Sequence, residues 1–229
     1  MARWNNSLQT HAQIQQLKRE ALLHEAGKAF SERGYHATSL DDVAKALGVS
    51  KGTLYNYVTD KQEILWELHK IAGDIATSAF AAAPAEAGTG AQMLRGSLVR
   101  FIHGLTEELG ACRVLLEFEA LRPEDRVKAR KMRESFENSF IEFIEQGMAD
   151  GSMRKVEPRL MVFTFMGAVN WIPRWYSPTG RLTGRYIAQA VTDMLLRGLV
   201  ARKGETPPAP TPAPTSQPAA ARRKKAAGR

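Results

Sequence analysis

The 229-residue chain predicts an all-α protein, a small N-terminal three-helix unit followed by a larger helical region. Three observations carry that expectation. Apolar residues recur at i, i+3, i+4 and i+7 through most of the chain, the spacing of one helix face. No run alternates apolar and polar residues as a half-buried strand would. Glycine and proline fall between the periodic stretches, where they punctuate helices.

From His11 to Arg33, Ile14, Leu17, Ala21, Ala26, Ala29 and Phe30 line one side of a long helix, with Thr10 as its cap. Gly34 ends it in a left-handed turn and Tyr35 packs beneath. Residues 1–10 read as a mobile arm. The next stretch, TSLDDVAKALGVSKGTLYNYVTDK from Thr38 to Lys61, holds two short helices around a tight turn. Ser39 caps the first, and Asp41 and Asp42 set negative charge against its positive end. Leu40, Val43, Ala44 and Leu47 form its apolar stripe, Gly48 stops it, and Val49 is expected to plug the turn. Ser50 caps the second helix, with Leu54 as its anchor toward Val43 and Leu47.

That second helix has the properties of one that enters a DNA groove. Gly52 and Thr53 are small enough for close approach, and Lys51 can meet a phosphate. Tyr55, Asn56 and Tyr57 mix polar groups with ring faces; Asn pairs with adenine, and Thr meets a base edge or a thymine methyl. A surface hairpin with ordinary polar residues is the plainer alternative. The two caps, the glycine turn and the small polar helix start together favour double-stranded DNA as partner.

The run from about Glu25 to Leu65 resembles the DNA-binding domain of the tetracycline-repressor (TetR) family of bacterial transcription regulators. The matching residues are AGKAFSERGYHATSL, DDVAKALGVSKGTLYNYV and DKQEIL, about a fifth of the chain. Val58 departs from the usual Phe but stays apolar. The DNA-contacting set on this reading is Thr38, Ser39, Ser50, Lys51, Gly52, Thr53, Tyr55, Asn56, Tyr57 and Lys61.

Asp60 caps the next helix, with Glu63 completing a capping box. Ile64, Leu65, Leu68, Ile71, Ala72, Ile75 and Ala79 give it an apolar face as far as about Ala82. The resemblance makes this helix the lever between ligand and DNA. Further helices are expected at about 91–109, 111–121, 124–150, 158–176 and 183–201, with Pro158 suited to a first turn. The run KARKMRESFEN alternates charge and reads as a solvated face. Glu117 and Glu119 point to different faces and make no carboxylate pair.

PRLMVFTFMGAVNWIPRWY is apolar nearly all round and must be buried on more than one side. TGRYIAQAVTDMLLRGLVA carries Ile187, Ala190, Val191, Met194, Leu195 and Leu199 at helical spacing. Such a pair can meet its twofold copy as a four-helix bundle, and the family resemblance implies that homodimer. A core pair within a monomer is the alternative.

The segment GAVNWIPRWYSPTGRLTGRYIAQAVTDMLLRGL is also similar to the C-terminal domains of a TetR-like subset. These regulate fatty-acid, sterol or related acyl degradation, and several sense acyl-CoA thioesters. The similarity rests on Asn170, Trp171, Trp175, Tyr176, Pro178, Gly180 and the closing Leu196-Arg197-Gly198-Leu199. It implies a small-molecule effector, an acyl-CoA or another apolar compound. The candidate ligand set is Phe101, Phe118, Phe140, Phe143, Met166, Asn170, Trp171, Arg174 and Trp175. Trp171 and Trp175 also fit as core or interface aromatics. Arg95, Arg113, Arg122, Arg126 and Arg174 are candidates for phosphate or carboxylate groups.

The expected fold is thus all-α: an N-terminal three-helix helix-turn-helix domain plus a larger C-terminal helical ligand-binding and dimerisation domain. The divisions expected are 1–10, 11–59, 60–202 and a basic Pro/Ala-rich tail at 203–229. From Arg202 onward seven basic residues stand against one acid, so Arg202 and the tail together carry +6 of the formal +8. The basic balance therefore describes a tail, open to nonspecific phosphate attraction, solubility or localisation.

One cysteine, Cys112, precludes an intrachain disulfide and a thiolate zinc site; it reads as core rather than redox-active. No Ser-His-Asp setting, HExxH or glycine-rich phosphate loop is present, so no catalytic residues, metal or cofactor are assigned. His24 and His36 are not spaced as metal ligands. No signal-peptide core and no apolar run of about 20 residues is found, which places the chain in the cytoplasm without a membrane partner. The reading is a homodimeric, ligand-responsive DNA-binding regulator, a repressor released by an acyl-CoA or other apolar molecule. A repressor sensing multiple drugs or aromatic compounds, acting on an efflux or degradation operon, is the alternative. An architectural DNA-binding protein without an effector is the more distant one.

Overall fold

The computed structural model describes residues 11–82, 88–108 and 114–199. Among them all regular structure is helical apart from turns. The helices are α1 (His11–Arg33), α2 (Leu40–Ala46), α3 (Lys51–Tyr55), α4 (Lys61–Ala81) and α5 (Gly90–Glu107). A 3-10 segment (Val114–Ala120) follows, then α6 (Pro123–Ala149), α7 (Pro158–Asn170), the short α8 (Ile172–Trp175) and α9 (Gly184–Arg197). The expected arm, the Thr10 cap, Arg113, Cys112 and the tail lie outside the described residues.

Local chemistry sets the N-terminal head formed by α1, α2, α3 and the start of α4. Gly34 adopts φ +88° and Gly48 φ +67°, left-handed positions that a side chain disfavours. At Gly48, Val49 N donates to Ala44 O (3.0 Å) and Gly48 N to Lys45 O (3.1 Å). This hydrogen-bond pair closes a Schellman motif. Val49 is 39% exposed and does not plug the turn; its backbone, not its side chain, terminates α2. Ser39 and Asp42 form a reciprocal capping box, and Ser50 Oγ accepts from Thr53 N at 3.1 Å.

Asp60 caps α4 by accepting from Glu63 N at 2.9 Å. The expected capping box is not closed, because Glu63 accepts from Thr59 N (2.7 Å) and Arg19 (2.9 Å) instead. Arg19 also reaches Glu67 at 3.3 Å and the Tyr57 carbonyl, tying α1 to α4 and to the end of the α3 turn.

Two apolar cores share α4. Its first half gives Ile64, Leu65 and Leu68 to the head, beside Leu22, Phe30, Val43, Leu54 and Val58. Its second half gives Ala72, Ala76 and Phe80 to the body. The 3-10 segment and the residue after it return to the head, burying Val114 (2% exposed) and Leu121 (3%) there. An α-helix was expected at 111–121; instead Glu117 breaks helical geometry at φ −94°, ψ 31°.

α5 is the body's central helix, packed by α4, α6, α8 and α9. Leu94, Leu98, Ile102 and Leu105 are fully buried on it. At its start a Cβ on Gly90 would meet the Gly147 Cα at 2.5 Å and the Phe143 carbonyl oxygen at 2.6 Å, so the two backbones touch. The Asp150 carboxylate clasps that approach, accepting from Gly90 N at 2.7 Å. The helix expected over 158–176 is interrupted at Trp171. Pro173 cannot donate to the preceding turn, and Ile172–Trp175 forms a separate short helix. The last helix ends at Arg197 with Gly198 as cap, short of the expected 201.

Candidate functional site

The candidate nucleic-acid surface is built on α3. Lys51, Gly52, Thr53, Tyr55 and Asn56 are exposed, while Leu54, 1% exposed, anchors the helix in the head core with Val43 and Leu65. Burial of one leucine thus turns the small polar residues outward. Ser50 Oγ and Thr53 Oγ1 lie 2.8 Å apart, holding the start of the helix rigid. Lys51 Nζ lies 2.9 Å from an Asp41 oxygen on α2, and that carboxylate raises the Lys51 ammonium above its ordinary value. Asp41 was read only as a charge for the helix dipole. The ten-residue separation gave no local signal that it would meet Lys51.

Other members of the expected DNA set sit differently. Thr38 is 2% exposed, and its Oγ1 donates to Gly34 O (2.9 Å) and Ala29 O (3.2 Å). Its hydroxyl is spent closing the α1–α2 corner, which removes Thr38 from the surface. Ser39 is exposed but engaged with Asp42, whose carboxyl its hydrogen bonds hold below the ordinary range. Tyr57 is half-buried against the head core. Lys61 lies over the Tyr35 ring at 4.1 Å and donates to His36 O at 3.4 Å. Burial lowers its ammonium pKa, opposed by the Glu117 charge.

The expected ligand set is not brought together. Phe101, Phe140 and Phe143 are buried in the body core, and Met166 packs against it. Phe80 fills the space, with ring centroids 4.8 Å from Phe136, 5.3 Å from Phe140 and 5.7 Å from Phe143. Phe118 packs with the head core instead. Asn170, Trp171, Arg174 and Trp175 are exposed on the outer side of α7 and α8. Three of the candidate arginines are paired with carboxylates: Arg95 with Asp193 (2.9 Å), Arg126 with Glu119 (3.0 Å) and Arg122 with Asp60. Arg174 lies over the Trp171 ring at 5.7 Å.

Other large apolar side chains are exposed on these elements and on α9. Leu160, Phe163, Trp171 and Trp175 along α7 and α8 are exposed by 57, 56, 56 and 49%, and Tyr186 and Met194 on α9 by 57 and 65%. Gly167 on α7 is exposed too, with nothing within 4 Å of where a Cβ would stand. The sequence did not single out Leu160, Phe163 or Tyr186 as exposed. The α7 segment is apolar all round, so its periodicity has no phase that tells inside from outside.

Among the described residues, no cluster of His, Cys, Asp or Glu could hold a metal ion, and no helix is long and apolar enough to cross a membrane.

Residues 22–68 match the family of bacterial regulatory proteins, tetR family, and residues 87–199 match the tetracyclin repressor-like, C-terminal domain family. Both are families of regulators, not of enzymes. The TetR family transcriptional regulator PfmR from Thermus thermophilus is 32% identical, with 77% of this chain and 97% of that one covered and a TM-score of 0.71. The HTH-type transcriptional repressor KstR2 of Mycolicibacterium smegmatis is 25% identical over 199 residues, 82% of this chain and 93% of that relative. AibR, solved in complex with isovaleryl coenzyme A and operator DNA, is 26% identical, with 77% and 97% covered and a TM-score of 0.67. With its reading head and its helical body both matched, and PfmR aligned over nearly its whole length, the chain belongs to the TetR family of bacterial transcriptional regulators.

Proposed function

We propose that the protein is a homodimeric repressor that reads operator DNA with α3 and releases it on binding an acyl-CoA ester or another apolar small molecule. The observation that carries the DNA reading is the exposed, small and polar face of α3, fixed from beneath by Leu54 and from its start by Ser50. Thr53 and Asn56 read base edges. Lys51 and Tyr55 meet phosphates, with Ser39, Ser50 and Gly52 in close approach to the backbone and Tyr57 and Lys61 behind them. A single short helix reads few bases, and the apolar face of α7–α9 supplies a twofold contact that sets two such helices on adjacent half-sites, about 34–36 Å apart or a multiple of it.

The effector reading draws on the AibR complex with isovaleryl coenzyme A and on the acyl-degradation resemblance. The phenylalanine cluster around Phe80 is closed in this conformation, so an acyl chain enters only a conformer in which α4 has shifted. A ligand that binds one conformer and not the other moves the equilibrium between them. Phe101, Phe140, Phe143 and Met166 meet the acyl chain from inside the body. Asn170, Trp171, Arg174 and Trp175 serve the dimer contact.

The test is fluorescence anisotropy of the full chain on a duplex selected from random sequence, titrated with free CoA, a fatty acid and acyl-CoA esters. An ester should lower DNA affinity about 5- to 150-fold, the range of a typical coupling, and free CoA should not. Selection that yields no preferred sequence would overturn the operator reading. Equal release by free CoA would overturn the acyl reading.

A further inference from the structure

We propose that Arg19 on α1 is a positioning residue for base recognition, fixing the end of α3 that presents Asn56. The inference rests on the operator reading above and adds to it a residue that acts through the backbone of the turn after α3.

An isolated helix of five residues is not stable in water, so α3 stands where its surroundings hold it. Ser50 fixes its start and Leu54 its underside. Its end is held separately. Asn56 is the C-cap, and Asn56 N and Tyr57 N donate back to Thr53 O (3.2 Å) and Leu54 O (3.0 Å). The next free acceptor is the Tyr57 carbonyl, and Arg19 Nη1 donates to it from 38 residues away in the chain. The other arm of the guanidinium, Nη2, donates to Glu63 Oε1 at 2.9 Å and lies 3.3 Å from Glu67 Oε1, both on α4. Glu63 closes the ring: its second oxygen accepts from Thr59 N at 2.7 Å and Thr59 Oγ1 at 2.9 Å.

One ion pair thus holds the turn at two backbone points, Tyr57 O and Thr59 N. An exposed ion pair contributes little, but the side chains of Arg19, Glu63 and Glu67 are only 27, 24 and 20% exposed. Burial pushes the Glu63 carboxyl up, yet the hydrogen bonds from Thr59 and Arg19 hold it below its ordinary value, so the pair is charged near neutral pH. Reaching a carbonyl and two carboxylates at once suits a planar fork and not the point charge of an ammonium. Asn56 precedes the clamped carbonyl by one residue and is exposed. A bidentate base contact demands that its amide be placed closely, and the clamp supplies that placement.

The experiment measures anisotropy of the full chain on the selected duplex and on a random one. Arg19→Lys keeps the charge and loses the fork. It should weaken the selected duplex about 5- to 150-fold, the worth of one bidentate base contact, and leave the random duplex within about twofold, the scatter of independent changes. Asn56→Ala should cost the wild type a similar factor, but at most about twofold in the Arg19→Lys background, because the displaced amide no longer reads its base. Without DNA, the amides of residues 55–60 should exchange hydrogen faster in Arg19→Lys while those of α5 exchange as in the wild type. Wild-type preference in Arg19→Lys, additive losses in the double variant, or unchanged exchange at 55–60 would overturn the proposal. So would exchange that quickens in α5 as well, which marks general loosening. A wild type with no preferred sequence would instead overturn the operator reading, and this inference with it.

Discussion

Removing Trp171 tests the proposed twofold contact at its largest exposed side chain. Trp171 is 56% exposed at the junction of α7 and α8, which leaves about 140 Å² of a side chain of about 250 Å² open to water. Covering it at about 25 cal/mol per Å² contributes about 3 kcal/mol. In a twofold contact each residue counts in both protomers, so Trp171→Ala removes about 6 kcal/mol before relaxation. Halving this for incomplete burial still leaves about 3 kcal/mol, a weakening of the dimer of about 100-fold. Sedimentation equilibrium across the micromolar range measures it, with a thermal melt to verify that the monomer stays folded. Leu195 is the wrong position for this test, because it packs against the body's own core and a charge there would damage the monomer. A wild-type chain that is monomeric at micromolar concentration would refute the reasoning. So would a folded Trp171→Ala variant that dimerises as tightly as the wild type.

Three further outcomes are expected. Asn56→Ala and Thr53→Ala should change base preference, whereas Lys51→Ala should weaken binding to all sequences and reduce the salt slope by about one unit, read by anisotropy at several salt concentrations. Gly90→Ala should cost about 1–3 kcal/mol or more, since its Cβ meets the backbone of α6. Gly73→Ala should be near neutral in denaturant titration, because only the flexible end of Met132 stands in its way and a helix gains about 1 kcal/mol from the change. His69 is 4% exposed, hydrogen-bonded through Nδ1 to Leu65 O at 2.9 Å and without a partner at Nε2 among the described residues. Burial lowers its pKa from the ordinary 6.5, against smaller raising effects of that hydrogen bond and of Glu117. The unfolded chain then takes the proton first as pH falls below about 6.5, and stability drops by at most about 1.4 kcal/mol per pH unit until the folded imidazole also titrates. His69→Leu should remove that share of the slope in melts from pH 7.5 to 5, about the range in which histidine titrates; an unchanged slope would refute it.

The fold of the N-terminal head was legible because its determinants are local. Ser39, Ser50 and Asp60 cap helices that begin one residue later, and Gly34 and Gly48 supply the two left-handed turns that end α1 and α2. Leu54 had to point inward once its helix was placed, and that alone turned Thr53 and Asn56 out. Helical periodicity likewise placed α1, α4 and α5 to within a residue or two.

Tertiary structure decided everything that depends on which side of a helix meets what. Thr38 looked like a surface polar residue until the Ala29 and Gly34 carbonyls claimed its hydroxyl. Phe118 looked like part of the effector pocket until the kink at Glu117 sent its segment to the head core. Trp171 and Trp175 could face in or out, because a helix apolar all round carries no phase, and the tertiary structure buries Val162, Phe165, Val169 and Ile172 of that segment and leaves the two tryptophans exposed. The clamp on the turn after α3 joins residues as distant as Arg19, Tyr57 and Glu63. Capping and periodicity act over one or two turns of chain and are written in the sequence. Packing and charge proximity act through space between segments the sequence leaves far apart, so only the folded chain fixes them.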